Sequence, residues 1–420
     1  MTDGSGLRSI VEGENIRASV NMTMSRCDER FIKREVVVKD TRTALILGAG
    51  IGGLAAGIAL RRGGWDVRIY ERRSSIRELG FGLLLAQNAI SALSELGIAE
   101  SVIGRTAPGA GVEVRQLNGR VIRRFNGQLG GPAVVALRRD LHDALLNAVG
   151  RDALRLSSEA VAVNDHKEYV TLRLADGNVD SGAMLIGADG IGSIVRKQLH
   201  PNETPPRPSG FCAVRGVAYG ASVHLAGLTG VAYLDNGIEA AATRASSDAV
   251  YWYMSLLSDE VPANANSVES ILAKRLAGLD PVFRAIIAAT SPDDMRYDEL
   301  FKRDPLPTWG AGHITLLGDA AHPVLPHTGQ GAAQALEDAV ALGLALSPSK
   351  DIGEGLRRYE KVRIHRTRKF IKLGPRIARV TTTRNGLIQW CRTYAIRVVP
   401  TSVIRWAASR SRDPHRDLRQ

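Results

Sequence analysis

The sequence has few cysteines and no long apolar run. Its three cysteines, Cys27, Cys212 and Cys391, lie far apart and form no CxxC pair. They therefore favour neither a disulfide framework nor a zinc ribbon, and their scarcity is typical of a reducing, cytoplasmic environment. No segment approaches the roughly 18 consecutive apolar residues that a membrane-spanning helix needs. Residues 1–40 are polar and contain no stretch of signal-peptide length, so we expect a mobile tail there.

Acidic residues are also scarce near the C-terminus, and this scarcity explains the net charge of +12. From Arg357 to Gln420, eighteen Lys or Arg residues stand against Glu360, Asp413 and Asp417. The remainder of the chain is therefore slightly acidic. A solvated basic helical face is the favoured interpretation, with peripheral contact to an anionic membrane as the alternative. We predict no nucleic-acid partner.

The composition that is present suits a globular protein. The chain has 420 residues, of which 44% are hydrophobic and 23% charged. This length is sufficient for two or three domains. A strand at Ala44–Leu47, a helix through Arg62 and a second strand at Val67–Tyr70 predict half of a doubly wound sheet.

The turn after the first strand carries GxGxxG, formed by Gly48, Gly50 and Gly53. The first glycine permits the tight turn, the second lets the backbone approach a pyrophosphate, and the third permits close packing of helix and strand. Glu71 ends the next strand, where a carboxylate can accept both ribose hydroxyls of an adenosine. These residues, with the neighbouring Ile51, Gly52 and Arg72, predict a dinucleotide site, but they do not separate NAD from FAD.

Two later motifs distinguish FAD from NAD. GADGIGSIVR (187–196) and GDAAHPVLPHTGQGAAQALEDA (318–339) follow GxGxxG in this order. Over roughly Thr43–Leu346 the chain resembles the class A flavoprotein monooxygenases, the para-hydroxybenzoate hydroxylase-like family, and is similar to its quinolone and salicylate hydroxylases and its zeaxanthin epoxidase-type members. The resemblance implies FAD as cofactor, NADH or NADPH as transient reductant, and transfer of one oxygen atom from O2 through a flavin C4a-hydroperoxide.

The resemblance also implies roles for individual residues. Arg138 matches the arginine that reaches the ribityl-phosphate part of the flavin, and Asp189 and Gly190 serve both FAD and NAD(P)H. Asp319, at the end of a strand, can accept a hydrogen bond from a ribityl hydroxyl. The expected catalytic residues are Pro326, His327 and Gly329 of the loop beside the flavin ring, where Pro326 resembles the family proline next to the reactive flavin carbon. The backbone amides of Gly329, Gln330 and Gly331 would approach the flavin at a helix N-terminus, and Ala332 is a further cofactor-binding candidate.

Three polar residues in these motifs have alternative interpretations as metal ligands or ion-pair partners. His322 and His327 are five apart across two prolines and have no third ligand at a convincing spacing, so we predict no metal site. Arg196 can pair with Asp189, hold a phosphate, or form a structural ion pair.

A strand-rich region, with candidates at Phe211–Val217, Val231–Leu234 and Val250–Leu256, predicts an inserted sheet that binds the substrate. Its polar candidates for substrate contact are Arg215, Tyr233, Tyr251 and Tyr253. Because side chains alternate along a strand, only some of them can face one pocket.

The expected fold class is α/β: a Rossmann-like FAD-binding domain with an inserted, mainly β substrate domain and a C-terminal helical segment. We assign residues 41–110, 135–208 and 300–347 to the FAD-binding domain. Residues 111–134 and 209–299 would form the substrate domain, and residues 348–420 the basic helical segment.

The expected function is hydroxylation of an aromatic or other hydrophobic small molecule. Three alternatives stand beside it: epoxidation of an alkene such as a terpenoid, a non-oxygenating FAD oxidoreductase, and a non-catalytic binding module. The complete set of Gly48, Gly50, Gly53, Glu71, Asp189 and Asp319 argues against the binding module.

Overall fold

A computed structural model describes residues 42–76, 81–107, 109–126, 133–261, 267–347, 349 and 351–403. The expected tail at residues 1–40 and the last basic residues, 404–420, lie outside the described residues. The described helices are α1 (Ile51–Arg62), α2 (Gln87–Glu95), α3 (Ala99–Ile103), α4 (Arg138–Val149), α5 (Ile194–Leu199), α6 (Val268–Leu276), α7 (Pro281–Ala288), α8 (Gly331–Leu346), α9 (Ile352–Thr381) and α10 (Gly386–Val398). The described strands are β1 (Thr43–Leu47), β2 (Asp66–Tyr70), β3 (Gly82–Leu85), β4 (Gly111–Arg115), β5 (Val121–Asn126), β6 (Val134–Leu137), β7 (Leu154–Arg155), β8 (Ala160–Asp165), β9 (Val170–Leu174), β10 (Val179–Gly182), β11 (Met184–Gly187), β12 (Arg207–Tyr219), β13 (Gly230–Asp235), β14 (Ile238–Arg244), β15 (Ala249–Leu257), β16 (Met295–Lys302) and β17 (Ile314–Leu316).

A parallel sheet in the order β17-β11-β1-β2-β7 organises the nucleotide-binding half. Strands β1, β11 and β17 are apolar runs that are buried along their whole length. Full burial is expected because helices cover both faces of such a sheet. The carboxyl ends of β1, β11 and β17 lie side by side in this order, so the loops that follow them meet at one edge of the sheet.

A second sheet has seven strands in the order β16-β12-β15-β14-β13-β4-β5. Its pairs are antiparallel except for β13 with β4. Helices α6 and α7 cover one face and bury Trp252 and Phe283 there. The predicted strands of the inserted sheet are confirmed.

The sequence pattern missed two smaller sheets. One is the antiparallel sheet β8-β9-β10, and the other is the pair β3-β6. The sheet β8-β9-β10 lies within residues 135–208, which we assign to the FAD-binding domain without predicting its strands. Each of the three strands has only four to six residues, so its sequence pattern is weak. The α/β fold class is confirmed, whereas the domain boundaries stay a prediction.

Among the described residues, the chain after Gly329 is mainly helical, in agreement with the expected C-terminal helical segment. Helix α9 lies against the turn at Pro326–Thr328, and the buried Gly374 faces Leu325 and Thr328 there. No helix among the described residues combines the length and the apolarity that crossing a bilayer requires.

Candidate active site

The turn after β1 shows why two of its glycines are needed. Gly48 has φ +99°, and an added Cβ would lie 2.4 Å from the carbonyl oxygen of Ala188. An added Cβ on Gly53 would lie 1.9 Å from the carbonyl oxygen of Gly48. Both distances are far below van der Waals contact. These positions therefore set the tight turn and the close packing of α1 on β1, as the spacing predicts.

Gly50 has a different role, because its Cα faces open space and not neighbouring protein atoms. No heavy atom lies within 4 Å of a Cβ added at Gly50, and the same is true at Gly190, across the cleft. Gly50 also precedes the first turn of α1, whose N–H groups have no partner within the helix. Ile51 is buried, and Gly52 packs on Leu317. An anion can therefore approach the open backbone at Gly50 and the positive end of α1.

Glu71 and Arg72 line the same cleft at the end of β2. One carboxylate oxygen of Glu71 accepts a hydrogen bond from the Ala49 N–H and the other from the Arg73 N–H, each at 3.0 Å. These bonds fix the carboxylate beside the glycine turn. Each oxygen retains a lone pair, so the group can still accept hydrogen bonds from a diol.

Asp189 follows β11 and lies opposite Glu71 in the cleft. Its Oδ2 accepts a hydrogen bond from the Ile194 N–H at 2.8 Å, while Oδ1 is buried without a hydrogen-bond partner among the described residues. Burial raises the pKa of Asp189, and the hydrogen bonds at the start of α5 oppose that rise. A buried acceptor without a partner is unusual in a native protein and is typical of a site that a ligand completes.

Arg196 does not pair with Asp189. It is fully buried, pairs with Glu203, and donates to the carbonyl oxygens of Ala320 and Ala321 at 3.0 Å. Arg196 therefore forms a structural ion pair with Glu203 and holds the loop after β17. The alternative in which Arg196 holds a phosphate is wrong, because its guanidinium is buried and already occupied.

Asp319 lies at the same edge of the parallel sheet, and Arg138 follows strand β6 of the separate β3-β6 pair. Asp319 follows β17 by three residues, and solvent reaches its side chain only through a recess that protein otherwise surrounds. Burial raises the pKa of this carboxyl, whereas His322 and Arg138 favour its ionised form. Arg138 opens α4 and also lines the cleft. The two side chains are therefore close enough for a charge on one to act on the other.

The loop between Asp319 and α8 is shaped by a glycine. Pro326–Thr328 form one 3₁₀ turn, and Gly329 follows with φ +62°, donating its N–H to Pro326 at 2.8 Å. Gln330 then caps α8, and Asn88 donates to its side-chain oxygen at 2.9 Å. Gly331 and the half-buried Ala332 form the first turn of the helix. We call Pro326–Gly331 the ring-side loop.

His327 joins the ring-side loop to the second sheet. Its Nε2 lies 2.8 Å from Ser255 Oγ, and its ring packs edge-on against Phe211 at 5.3 Å. Burial, assisted by the charge of Arg215, lowers the pKa of His327 to about 4. The imidazole is therefore neutral near pH 7.

The strand register decides which substrate candidates face this loop. On β15, Tyr251, Tyr253 and Ser255 are two residues apart, so their side chains point to the same face of the second sheet. Arg215 on β12 lies directly opposite Tyr253 and shares that face. Arg215 lies 3.7 Å from Asp298. Tyr253 donates to Glu239 at 2.8 Å. We call this the substrate face.

Tyr233 is wrong as a substrate candidate. It lies on the opposite face of the sheet, is fully buried beside Phe283, and donates to Asp280 at 3.0 Å. Its register explains the error: Tyr233 pairs with Ala240, whereas the substrate face carries the neighbouring pair Ala232 and Ala241.

His322 has a structural partner. Its Nε2 lies 2.5 Å from Asp338 Oδ2, it is 1% exposed, and its ring packs on Trp309. Asp338 also accepts from the Gly318 N–H at 2.9 Å, so this pair holds the Asp319 loop on α8. Within the described ranges, no three His, Cys, Asp or Glu residues form a group that could hold a metal ion.

Two residues that shape the site were not predicted from the sequence. His142, on the second turn of α4, is buried and places Nε2 2.7 Å from the Ala49 carbonyl oxygen. Asn88 positions Gln330 and also donates to Glu337 at 2.6 Å. A polar residue on the apolar face of a predicted helix is the one signal that could have found either of them.

The geometry defines a protein with a nucleotide cleft at the edge of a parallel sheet and a second sheet facing that edge. A family model described as FAD binding domain matches residues 40–372. The chain is 31% identical over 367 residues to the Aurachin C monooxygenase/isomerase of Stigmatella aurantiaca, covering 86% of this chain and 95% of that relative. It is 32% identical over 348 residues to 3-hydroxybenzoate 6-hydroxylase 1 of Aquipseudomonas alcaligenes, covering 77% and 85%. The solved structure of Klebsiella pneumoniae HpxO complexed with FAD and uric acid matches with a TM-score of 0.81 at 24% identity, covering 88% of this chain and 96% of that chain.

The chain belongs to the FAD binding domain family. The resemblance to class A flavoprotein monooxygenases is confirmed, and with it the FAD cofactor and the NAD(P)H-dependent hydroxylase activity.

Proposed function

We propose that the cleft holds FAD in an extended form, with the adenosine at Glu71 and the flavin ring at the ring-side loop. Between these ends, the open backbone at Gly50 would approach the pyrophosphate, and Arg138 and Asp319 would hold the ribityl phosphate and ribityl hydroxyls. The unpartnered Asp189 Oδ1 in the cleft wall supports this placement, because a bound hydroxyl or amide would complete it.

An aromatic substrate would lie between the ring-side loop and the substrate face. One observation carries this proposal: the 2.8 Å contact between His327 and Ser255 ties the loop to the strand that carries Tyr251 and Tyr253. The cofactor end and the candidate substrate residues are thereby brought together. A contact of this kind holds substrate and cofactor in a fixed relation, which favours reaction.

When bound, FAD accepts hydride from NAD(P)H and activates O2 for transfer of one oxygen atom to the substrate. The protein positions the reactants. Arg215 can bind an anionic or strongly polar substituent of the substrate. The Tyr253 hydroxyl donates a hydrogen bond to Glu239, so its oxygen remains an acceptor for a substrate N–H or O–H. Neutral His327 adds no positive charge beside the ring near pH 7.

A substrate screen tests the proposal. NAD(P)H oxidation and peroxide yield are followed together for a panel of hydroxylated and N-heterocyclic aromatic compounds. A substrate should accelerate NAD(P)H loss while the peroxide yield falls and a hydroxylated product accumulates. Turnover that ends entirely as peroxide with every compound would contradict the proposed hydroxylation.

Two matched variants locate the substrate. Tyr253→Phe should raise KM or the peroxide fraction, whereas Tyr233→Phe, on the opposite face, should leave both unchanged. Equal effects of the two changes would remove the support for the substrate face.

We also propose a cytoplasmic location, with peripheral membrane contact by the basic C-terminal segment. The support is the absence of any Asp or Glu between Lys361 and Arg412, a stretch rich in Arg and Lys. A cationic surface of this kind is attracted to anionic lipid headgroups.

A further inference from the structure

Helix α10 is amphipathic in the opposite sense to an ordinary surface helix. Gln389, Arg392 and Thr393 face the protein: Gln389 donates to the Thr383 carbonyl oxygen at 3.1 Å, and Arg392 to the Thr381 carbonyl oxygen at 2.7 Å. Most of its large apolar residues instead face outward. A surface helix normally buries its apolar stripe, so this inversion requires an explanation.

The outward residues form one continuous stripe. Leu387, Trp390, Tyr394 and Val398 are spaced by three and four residues, so they lie on one face of the helix. Their exposed fractions are 71%, 63%, 55% and 52%. Trp390 and Tyr394 stack with ring centroids 5.6 Å apart. We call these four residues the outer stripe. An exposed apolar surface of this extent is typical of an interaction site.

Charge indicates what covers the outer stripe. Lys372, Arg376 and Arg379 are exposed along the last turns of α9, and Arg397 is exposed on α10 itself. No carboxylate lies in the sequence between Lys361 and Arg412 to balance them. Exposed Trp and Tyr beside Arg and Lys are typical of helices that lie in the interface of an anionic bilayer. A protein partner would more often present carboxylates in return, but an apolar stripe with both aromatic and basic residues suits acyl chains and headgroups together.

We propose that α10 lies in the surface of an anionic lipid bilayer, with the outer stripe among the acyl chains and the cations of α9 and α10 at the headgroups. This inference rests on the proposed membrane contact and assigns it to a face. It also places the bilayer near the site, because α9 packs on the ring-side loop through Gly374. A substrate dissolved in the bilayer would then enter from the side of the two C-terminal helices.

Vesicle sedimentation of the full-length FAD-loaded enzyme tests this face. We expect binding to vesicles of phosphatidylcholine with phosphatidylglycerol, weaker binding to phosphatidylcholine alone, and partial release by salt. The double variant Leu387→Ser/Trp390→Ser should bind about a hundred-fold more weakly, since each of the two large apolar side chains withdrawn from water contributes about a factor of ten. The matched control is Val179→Ser/Val223→Ser, which removes two apolar side chains with 56% and 71% exposure elsewhere on the surface.

The outcomes separate the explanations. Binding of the Leu387→Ser/Trp390→Ser variant equal to that of the unmodified enzyme would overturn the inference. If Lys372→Gln/Arg376→Gln loses vesicle binding while the apolar variant keeps it, the basic side chains alone make the membrane contact. The outer stripe then has no part in it, and the inference is wrong. If the enzyme binds no vesicle but forms a dimer that the apolar variant cannot form, the stripe is covered by a second copy and the inference is wrong.

A separate readout distinguishes failure of this inference from failure of the proposed function. NAD(P)H oxidation with a water-soluble aromatic substrate and no vesicles should be the same in the apolar variant and in the unmodified enzyme. Retained flavin and an unchanged melting temperature show that all three double variants are folded.

Discussion

Removing Arg363 should destabilise the protein strongly and in a manner that depends on pH. Arg363 on α9 is fully buried and pairs with Glu337 and Asp338 of α8, with an N–O distance of 2.6 Å to each. It also donates to the side-chain oxygen of Gln334 at 2.8 Å. Arg363→Met retains the apolar stem but leaves two buried carboxylates without their shared cation.

The magnitude follows from the titration of Glu337. Burial alone would raise its pKa, but Arg363 and Arg366, with a hydrogen bond from Asn88, lower the pKa from the ordinary 4.5 to about 2. A difference of that size corresponds to about 3 kcal/mol of stability at neutral pH, because one pKa unit is about 1.4 kcal/mol. Breaking a buried pair costs about 3–5 kcal/mol. Because Arg366 still pairs with Glu337 in the variant, we expect a loss of about 3 kcal/mol.

The loss should shrink as the pH falls. In the unmodified protein the lowered pKa of Glu337 contributes stability above pH 4.5, and that contribution disappears as the pH falls through about 2. In Arg363→Met, burial without the guanidinium raises the pKa of both carboxyls. As the pH falls from 7 towards 4.5, protonation of these carboxylates then reduces the free-energy cost of burying them without a cation. The variant therefore recovers part of its deficit between pH 7 and pH 5.

Urea denaturation of the FAD-loaded protein at pH 7 and pH 5, followed by circular dichroism, measures both effects. Lys369→Met, an exposed position on the same helix, is the control and should change stability by less than about 0.5 kcal/mol. A loss below about 1 kcal/mol for Arg363→Met, or an equal loss at both pH values, would refute this account of the buried pair.

The other predictions concern the cleft and the substrate face. Asp319→Ala should weaken FAD retention without unfolding the protein; flavin content after gel filtration equal to that of the unmodified enzyme would count against the ribityl role. Gly53→Ala should prevent normal folding, because its Cβ would lie 1.9 Å from a carbonyl oxygen, whereas Gly50→Ala should fold and lose FAD affinity, since only open cleft surrounds that position. Circular dichroism and flavin titration separate the two, and equal behaviour would show that Gly50 does not face the cofactor. Tyr233→Phe should lower stability by roughly 1–3 kcal/mol, because Asp280 loses a buried hydrogen bond, and should leave KM unchanged; a changed KM would return Tyr233 to the substrate site.

The nucleotide-binding half was largely predictable because its signals are local. Gly53 is required by its contact with Gly48 in the same turn, which the spacing indicates, whereas the contact of Gly48 with Ala188 after β11 is visible only in the tertiary structure. The strand before Asp319 and the helix after Gly331 were likewise predictable from hydrophobic pattern and glycine placement. The short strands of the sheet β8-β9-β10 were not, because segments of four to six residues carry too little periodic signal.

The sequence by itself determined the class of this protein: a glycine turn, an acidic residue one strand later and two further motifs in a fixed order define a flavin-dependent monooxygenase. Tertiary structure alone decided which tyrosines face the ring-side loop, since one step of register moves a side chain to the other face of a sheet. It also decided that Arg196 pairs with Glu203, whose separation in sequence says nothing about geometry. Finally, only packing shows that α10 turns its polar side inward and its apolar stripe outward, because the same helical pattern predicts a stripe but not the surface that covers it.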